Sequence, residues 1–208
     1  MAVISNIEEK RGLIVIEADG QRLCAIKRAF FKQLPLQIGD AIDEDQYLDR
    51  LAQLQLNPCY EAALTILDFS MRATGEMRKK LKLKGFLEPA IDATIARLLE
   101  SRLLNDDDYA ERVVEQAQRK PVGRYALKRK LRAKGVDEES VEAALEQISD
   151  ADQVRGAIAL AEKLGKKHQD LPKREAKAKL SAALSRRGFS WDSISAALAH
   201  HFDDDEWS

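Results

Sequence analysis

Hydrophobic positions change their period once along this chain, near residue 40. Before that point Val3, Ile4 and Ile7 open a strand-like stretch, Leu13-Ile14-Val15-Ile16 is a β-branched run, and Leu23-Cys24-Ala25-Ile26 reads as a return strand. Asp19-Gly20 is a hairpin signal, because both residues tolerate the positive φ of a two-residue turn. Ile38-Gly39-Asp40 marks a further short turn. The pattern predicts a β-module of about three strands, which is marginal alone in water and is expected to pack on the helix that follows.

From Asp43 onward the pattern is helical. Asp43 is placed as an N-cap, and Tyr47, Leu48, Leu51 and Leu54 make one apolar face. Asn57-Pro58 is expected to close that helix and open the next, with Pro58 near a first helical position.

The remainder repeats. Gly85, Gly135 and Gly188 each follow a basic residue (Lys84, Lys134, Arg187) and precede an apolar one (Phe86, Val136, Phe189). Eight and four residues ahead stand Met77 and Leu81, Leu127 and Leu131, Leu180 and Leu184. Six and ten residues beyond stand Ile91 and Ile95, Val141 and Leu145, Ile194 and Leu198. Apolar residues four apart share a helix face. A glycine can take the left-handed conformation that stops a helix, and a basic residue before it suits the helix C-terminus. Each unit therefore reads as a helix-turn-helix-like pair, preceded by a helix over roughly 59–72, 107–119 or 151–167. Units of this size bury little alone, so neighbours should stack.

The predicted fold is mostly α: tandem three-helix repeats stacked in an elongated array, with a small N-terminal β-module. The expected divisions are a β-hairpin module at 1–42, a connecting helix at 43–57, three-helix units at 58–104, 105–149 and 150–202, and an acidic tail at 203–208.

Candidate chemistry is sparse. The 208 residues are 45% hydrophobic, enough for a sizeable core, and carry no apolar run near the ~18 residues of a membrane span. Met1 to Lys10 lacks a signal-peptide pattern. Cys24 and Cys59 form no CxxC pair and read as reduced, part-buried hydrophobes in a reducing cytosol. Gly165-Lys166 lacks the rest of a phosphate loop. His168, His200 and His201 have no nucleophile motif beside them, and Asp106-Asp107-Asp108 is ordinary helix-start chemistry. A non-enzyme without cofactor or metal is expected, cytoplasmic and monomeric.

Charge is abundant at 33% but balanced overall, 34 basic against 35 acidic residues, so its distribution matters more than its sum. Arg78, Lys79, Lys80, Lys82 and Lys84 form one cluster. Arg119, Lys120, Arg124, Lys128, Arg129, Lys130, Arg132 and Lys134 form a second, with no acidic residue between Gln116 and Val136. A third, from Lys163 to Lys179, is diluted by Asp170 and Glu175. Seven and three residues before the glycine stand Arg78 and Lys82, then Lys128 and Arg132, but Ser181 and Ser185 in the last unit. These positions share a helix face off the apolar stripe, with Arg124 one turn earlier. The expected partner- or DNA-binding stripe is Arg78, Lys79, Lys82, Arg119, Lys120, Arg124, Lys128, Arg129 and Arg132, suited to a polyanion or an acidic protein surface. Only Tyr125 and Phe86 lie near these runs, which gives base stacking little support.

Several of these motifs resemble the RecX family. Glu76-Met77-Arg78-Lys79-Lys80-Leu81 with Lys84-Gly85-Phe86 is similar to its first-unit motif, and Leu104-Asn105-Asp106-Asp107 with Tyr109-Ala110 to its second-unit opening. Gly123, Leu127, Leu131 and Lys134-Gly135-Val136 resemble the helix that follows, and Arg186-Arg187-Gly188-Phe189 the third-unit end. Met77 replaces the usual Leu, and Ala73-Thr74 shifts the usual capping Ser. The resemblance covers about residues 60–202, and 1–39 is similar to N-terminal extensions of some members. It implies a protein that binds RecA along its filament on single-stranded DNA and restrains recombinase, ATPase and coprotease activity, by blocking extension or promoting disassembly. Two other readings stand beside it: a nonspecific DNA-binding helical module, with weak direct DNA contact, and a helical scaffold for another protein.

Overall fold

A computed structural model describes residues 1–118 and 120–203. The chain divides into two compact bodies, Met1–Asn105 and Asp106–Ser208.

The first body begins with an antiparallel sheet. β1 (Ala2–Lys10), β2 (Leu13–Ala18) and β3 (Gln21–Ile26) form a meander. Its turns are Arg11-Gly12 and Asp19-Gly20, all four residues at positive φ, which matches the twist of the strands they join. A short helix α1 (Arg28–Phe31) follows. The expected turn at Gly39 then returns the chain to β1: Gly39 N donates to Ile4 O at 2.8 Å, and β4 (Ala41–Ile42) adds a fourth strand in the order β3-β2-β1-β4.

The sheet packs against α2 (Glu44–Phe69), capped by Asp43, whose side chain accepts from Gln46 N at 3.1 Å. The expected break at Pro58 is corrected, because α2 runs straight through it. The buried residues Tyr47, Leu51, Gln55, Cys59, Ala63 and Ile66 continue one stripe across the proline. Pro58 itself is exposed, as is Leu54, whose carbonyl has no amide to accept from and faces the wet side of the helix. A continuous buried stripe outweighs one missing hydrogen bond. Cys24 and Cys59 are both free and buried, and burial pushes the Cys24 thiol up to about 11 and raises that of Cys59.

The rest of the first body is α3 (Thr74–Leu83) and α4 (Glu88–Glu100). The second body holds α5 (Asp106–Gln118), α6 (Arg124–Lys134), α7 (Glu138–Glu146), α8 (Asp150–Gly165), α9 (Lys173–Arg186) and α10 (Trp191–Asp203). The three repeated turns share one hydrogen-bond scheme. Phe86 N reaches Leu81 O at 3.3 Å and Gly85 N reaches Lys82 O at 3.0 Å. Val136 to Leu131 and Gly135 to Arg132 repeat it, as do Phe189 to Leu184 and Gly188 to Ser185. This is the Schellman scheme, which needs φ near +80° at the glycine and brings the next apolar side chain back over the helix. Every repeated apolar position named above is buried, Met77 to Ile95, Leu127 to Leu145 and Leu180 to Leu198 alike.

Two of the turns also dock. A Cβ on Gly85 would lie 2.6 Å from Leu13 Cδ2 and 3.2 Å from Lys27 N, so this turn presses on the sheet. In the second body Gly188 meets the start of α6, and a Cβ on Gly123 would lie 2.0 Å from the Gly188 carbonyl. Gly123 N donates to Arg187 O at 2.9 Å and Tyr125 N to Gly188 O at 3.0 Å. Buried glutamines complete both places. Gln55 accepts from Leu87 N at 2.7 Å and donates to Gly85 O, while Gln153 accepts from Arg124 N at 2.8 Å. They satisfy helix-start amides that no local side chain caps.

Gly123→Ala should therefore destabilise the second body by about 3 kcal/mol, since only backbone stands in the way. Gly12→Ala, at φ +77° with nothing within 4 Å, should lose only about 1 kcal/mol of backbone strain. Thermal and denaturant melts of the two variants check this.

Candidate partner-binding surface

The positive stripe expected from the sequence is, in the structure, largely a ladder of ion pairs. Its sequence logic was the absence of acidic residues from the second cluster, but the helix after each turn supplies them. In the first body Arg78 pairs with Glu88 at 3.0 Å and Asp92 at 2.5 Å, and Lys82 pairs with Glu88 at 2.6 Å. In the second, Lys128 pairs with Glu138 at 3.3 Å and with Glu142, and Arg132 Nε donates to Glu138 at 2.8 Å. The cations stand seven and three residues before the glycine, the carboxylates three and seven after it. The Schellman turn folds these positions together, so the ladder is a property of the module.

Hydrogen bonds from Arg132, then Lys128, hold the Glu138 carboxyl down at about 2. Lys82 and Arg78 lower that of Glu88, and the pairs raise Arg78, Lys128 and Arg132 in turn.

The other predicted residues fall differently. The Arg124 guanidinium donates to the Ile148 carbonyl and lies 3.1 Å from Asp150, so it ties α6 to the α7–α8 connection. Lys79 is exposed in the first body. Lys120 is exposed at the rim of a cavity of about 510 Å³, whose apolar lining includes Val114, Val122, Leu127, Ile148 and Phe189. Arg129 is exposed, and no ion pair joins it to another described residue. Arg119 and the acidic tail beyond Asp203 lie outside the described residues. Phe86, named with Tyr125 as a possible stacking ring, is buried against Phe30, 5.8 Å between centroids.

What sequence reasoning missed was the acidic half of the ladder. The signal was present: comparing positions after the glycine, as was done before it, yields Glu88 and Asp92, Glu138 and Glu142, then Trp191 and Ser195. The last module replaces both sides of the ladder at once, Ser181 and Ser185 on one helix, Trp191 and Ser195 on the other.

Tandem three-helix modules closed by the same turn, with their charge on outer helix faces, define a helical-repeat protein. Models of three RecX domains match it in order: "RecX, first three-helix domain" at residues 59–98, the second at 105–145 and the third at 151–198. The chain belongs to the RecX family. Among its relatives, the regulatory protein RecX of Bacillus subtilis is 34% identical over 173 residues, 82% of this chain and 66% of that one. That of Bacillus licheniformis is 35% identical over 165 residues, 78% of this chain and 62% of that one, so the chain spans slightly under two thirds of both. A crystal structure of regulatory protein RecX superposes with a TM-score of 0.65 at 26% identity, covering 99% of this chain and 100% of that one. RecX from Lactobacillus salivarius gives 0.65 at 31% identity, over 72% and 97%. These are regulatory proteins, and no helix among the described residues is long and apolar enough to cross a membrane.

The ladder predicts a pH dependence. The folded-state pKa of Glu138 lies below its unfolded value, so its stabilisation is present above about pH 4.5 and is lost as pH falls toward about 2. Glu138→Gln should melt below the parent at neutral pH, with the gap closing across that window and narrowing with added salt. A gap independent of pH would remove the ladder from the stability of α6 and α7.

Proposed function

We propose that this chain regulates the RecA recombinase by binding its filament on single-stranded DNA and restraining ATPase, strand exchange and coprotease activity. Membership of a family whose relatives are named regulatory proteins carries the reading. Filament extension is blocked, or disassembly promoted, by a protein that offers several similar modules to several similar subunits. Repeated weak contacts then add as avidity.

The contacting residues proposed from the sequence keep their place with one change of emphasis. Lys120 and Arg129 are exposed cations that no ion pair joins to another described residue, so they meet an acidic surface without first giving up such a partner. Lys79 is exposed on the first body, and Arg119 precedes Lys120 in the chain. Arg78, Lys82, Lys128 and Arg132 contribute by exchanging an exposed carboxylate for one on the partner, a swap that exposed ion pairs permit because they are weak and solvent-screened. Arg124 orients α6.

Adding the purified protein to RecA on single-stranded DNA should slow ATP hydrolysis and strand exchange. Lys120→Glu with Arg129→Glu should weaken that inhibition about tenfold at an unchanged melting temperature, as charge reversal at an exposed contact does. Lys128→Glu with Arg132→Glu should weaken it and also lower the melting temperature, because four carboxylates then face one another across the turn. No effect of the parent protein on either RecA activity at saturating concentration would end this proposal.

A further inference from the structure

Among the described residues of the second body, Tyr125 and Trp191 are the two exposed large aromatic residues, and backbone contacts bring the starts of their helices together although they stand 66 positions apart. Tyr125 is 62% exposed in the first turn of α6, and Trp191 is 70% exposed at the first position of α10. Tyr125 N donates to Gly188 O at 3.0 Å, three residues before Trp191, and the α6 backbone at Ala126 lies against Gly188. The two helix starts therefore adjoin, each presenting an aromatic ring to solvent.

Their surroundings are cationic in a way the ladder is not. Arg129 lies one turn beyond Tyr125 on the same side of α6. Arg186 and Arg187 are exposed at the end of α9, and the Arg187 carbonyl accepts from Gly123 N. No ion pair joins Arg129, Arg186 or Arg187 to another described residue. Among the described carboxylates, Asp150 pairs with Arg124 and Asp152 with Arg155, and Asp192 stands beside Trp191.

We propose that the adjoining starts of α6 and α10 form a site for single-stranded nucleic acid, with Tyr125 and Trp191 stacking bases and Arg129, Arg186 and Arg187 taking phosphates. Exposed rings on helix starts near guanidinium groups that no described residue pairs match a strand whose base faces are open, whereas a duplex hides those faces in its own stack. Base faces and phosphates are common to DNA and RNA strands, so both are ligands of this site. The site also accounts for the last module's departure from the ladder: Trp191 occupies the position of Glu88 and Glu138, where a carboxylate would repel phosphate.

The site does not depend on the recombinase reading, and its test needs no recombinase. Labelled oligo-dT and oligo-U of about fifteen nucleotides, titrated with the full chain, should both bind more tightly than a duplex of that length. Tyr125→Ala and Trp191→Ala should each weaken binding about tenfold, and Tyr125→Phe and Trp191→Phe should keep it, all melting with the parent. Arg186→Ala with Arg187→Ala should flatten the log–log salt dependence by about 1.4 units. Equal affinity for the duplex, or a Tyr125→Ala/Trp191→Ala variant that binds strands as the parent does, overturns the proposal.

Discussion

A glycine in the left-handed conformation is the constraint on which each module rests. The Schellman turn at Gly85, Gly135 and Gly188 sets the angle at which one helix gives way to the next. From that angle follow the buried pairs on either side and the apolar residue folded back between them. Where the turn carries no side chain it also lets a neighbour approach at backbone distance, the sheet at Gly85 and the start of α6 at Gly188. Stop signal and docking point are the same atom group.

Much of this architecture was legible because its determinants are local. The repeat was visible as matched offsets around three glycines, and those offsets correspond to the hydrogen bonds of one turn. Asp43 and Asp19-Gly20 were readable for the same reason, since a cap and a two-residue turn each need only a few neighbouring residues. Pro58 was misread because the local rule against proline ignores burial. Tyr47 through Ile66 form one buried stripe, and only the tertiary context shows that the missing hydrogen bond falls on the solvent side. β4 escaped notice because two residues have no period, and their pairing with Ala2 and Val3 is remote in sequence.

The charged surface was half legible. Runs of Lys and Arg are conspicuous in sequence, but whether they are free depends on the helix across the turn. Reading only the residues before the glycine gave a positive face; adding those after it gives alternating charge in the first two modules. The approach of the α6 start to Gly188, just before α10, was invisible for a different reason, being a product of contact between two modules rather than within one. Such a surface cannot be read from a repeat unit alone.

The paired bonds at Gly123 and Gln153 bear on where the polypeptide could be shortened. Removing everything after residue 149 would spare the second repeat its own apolar interior, yet strip the opening amides of α6 of both the Gln153 acceptor and the Arg187–Gly188 carbonyls. Those amides would turn to water, and the first coil of that helix would fray. A two-repeat fragment thus inherits a wet seam, and evolution could delete the last repeat only after redesigning the edge it now seals.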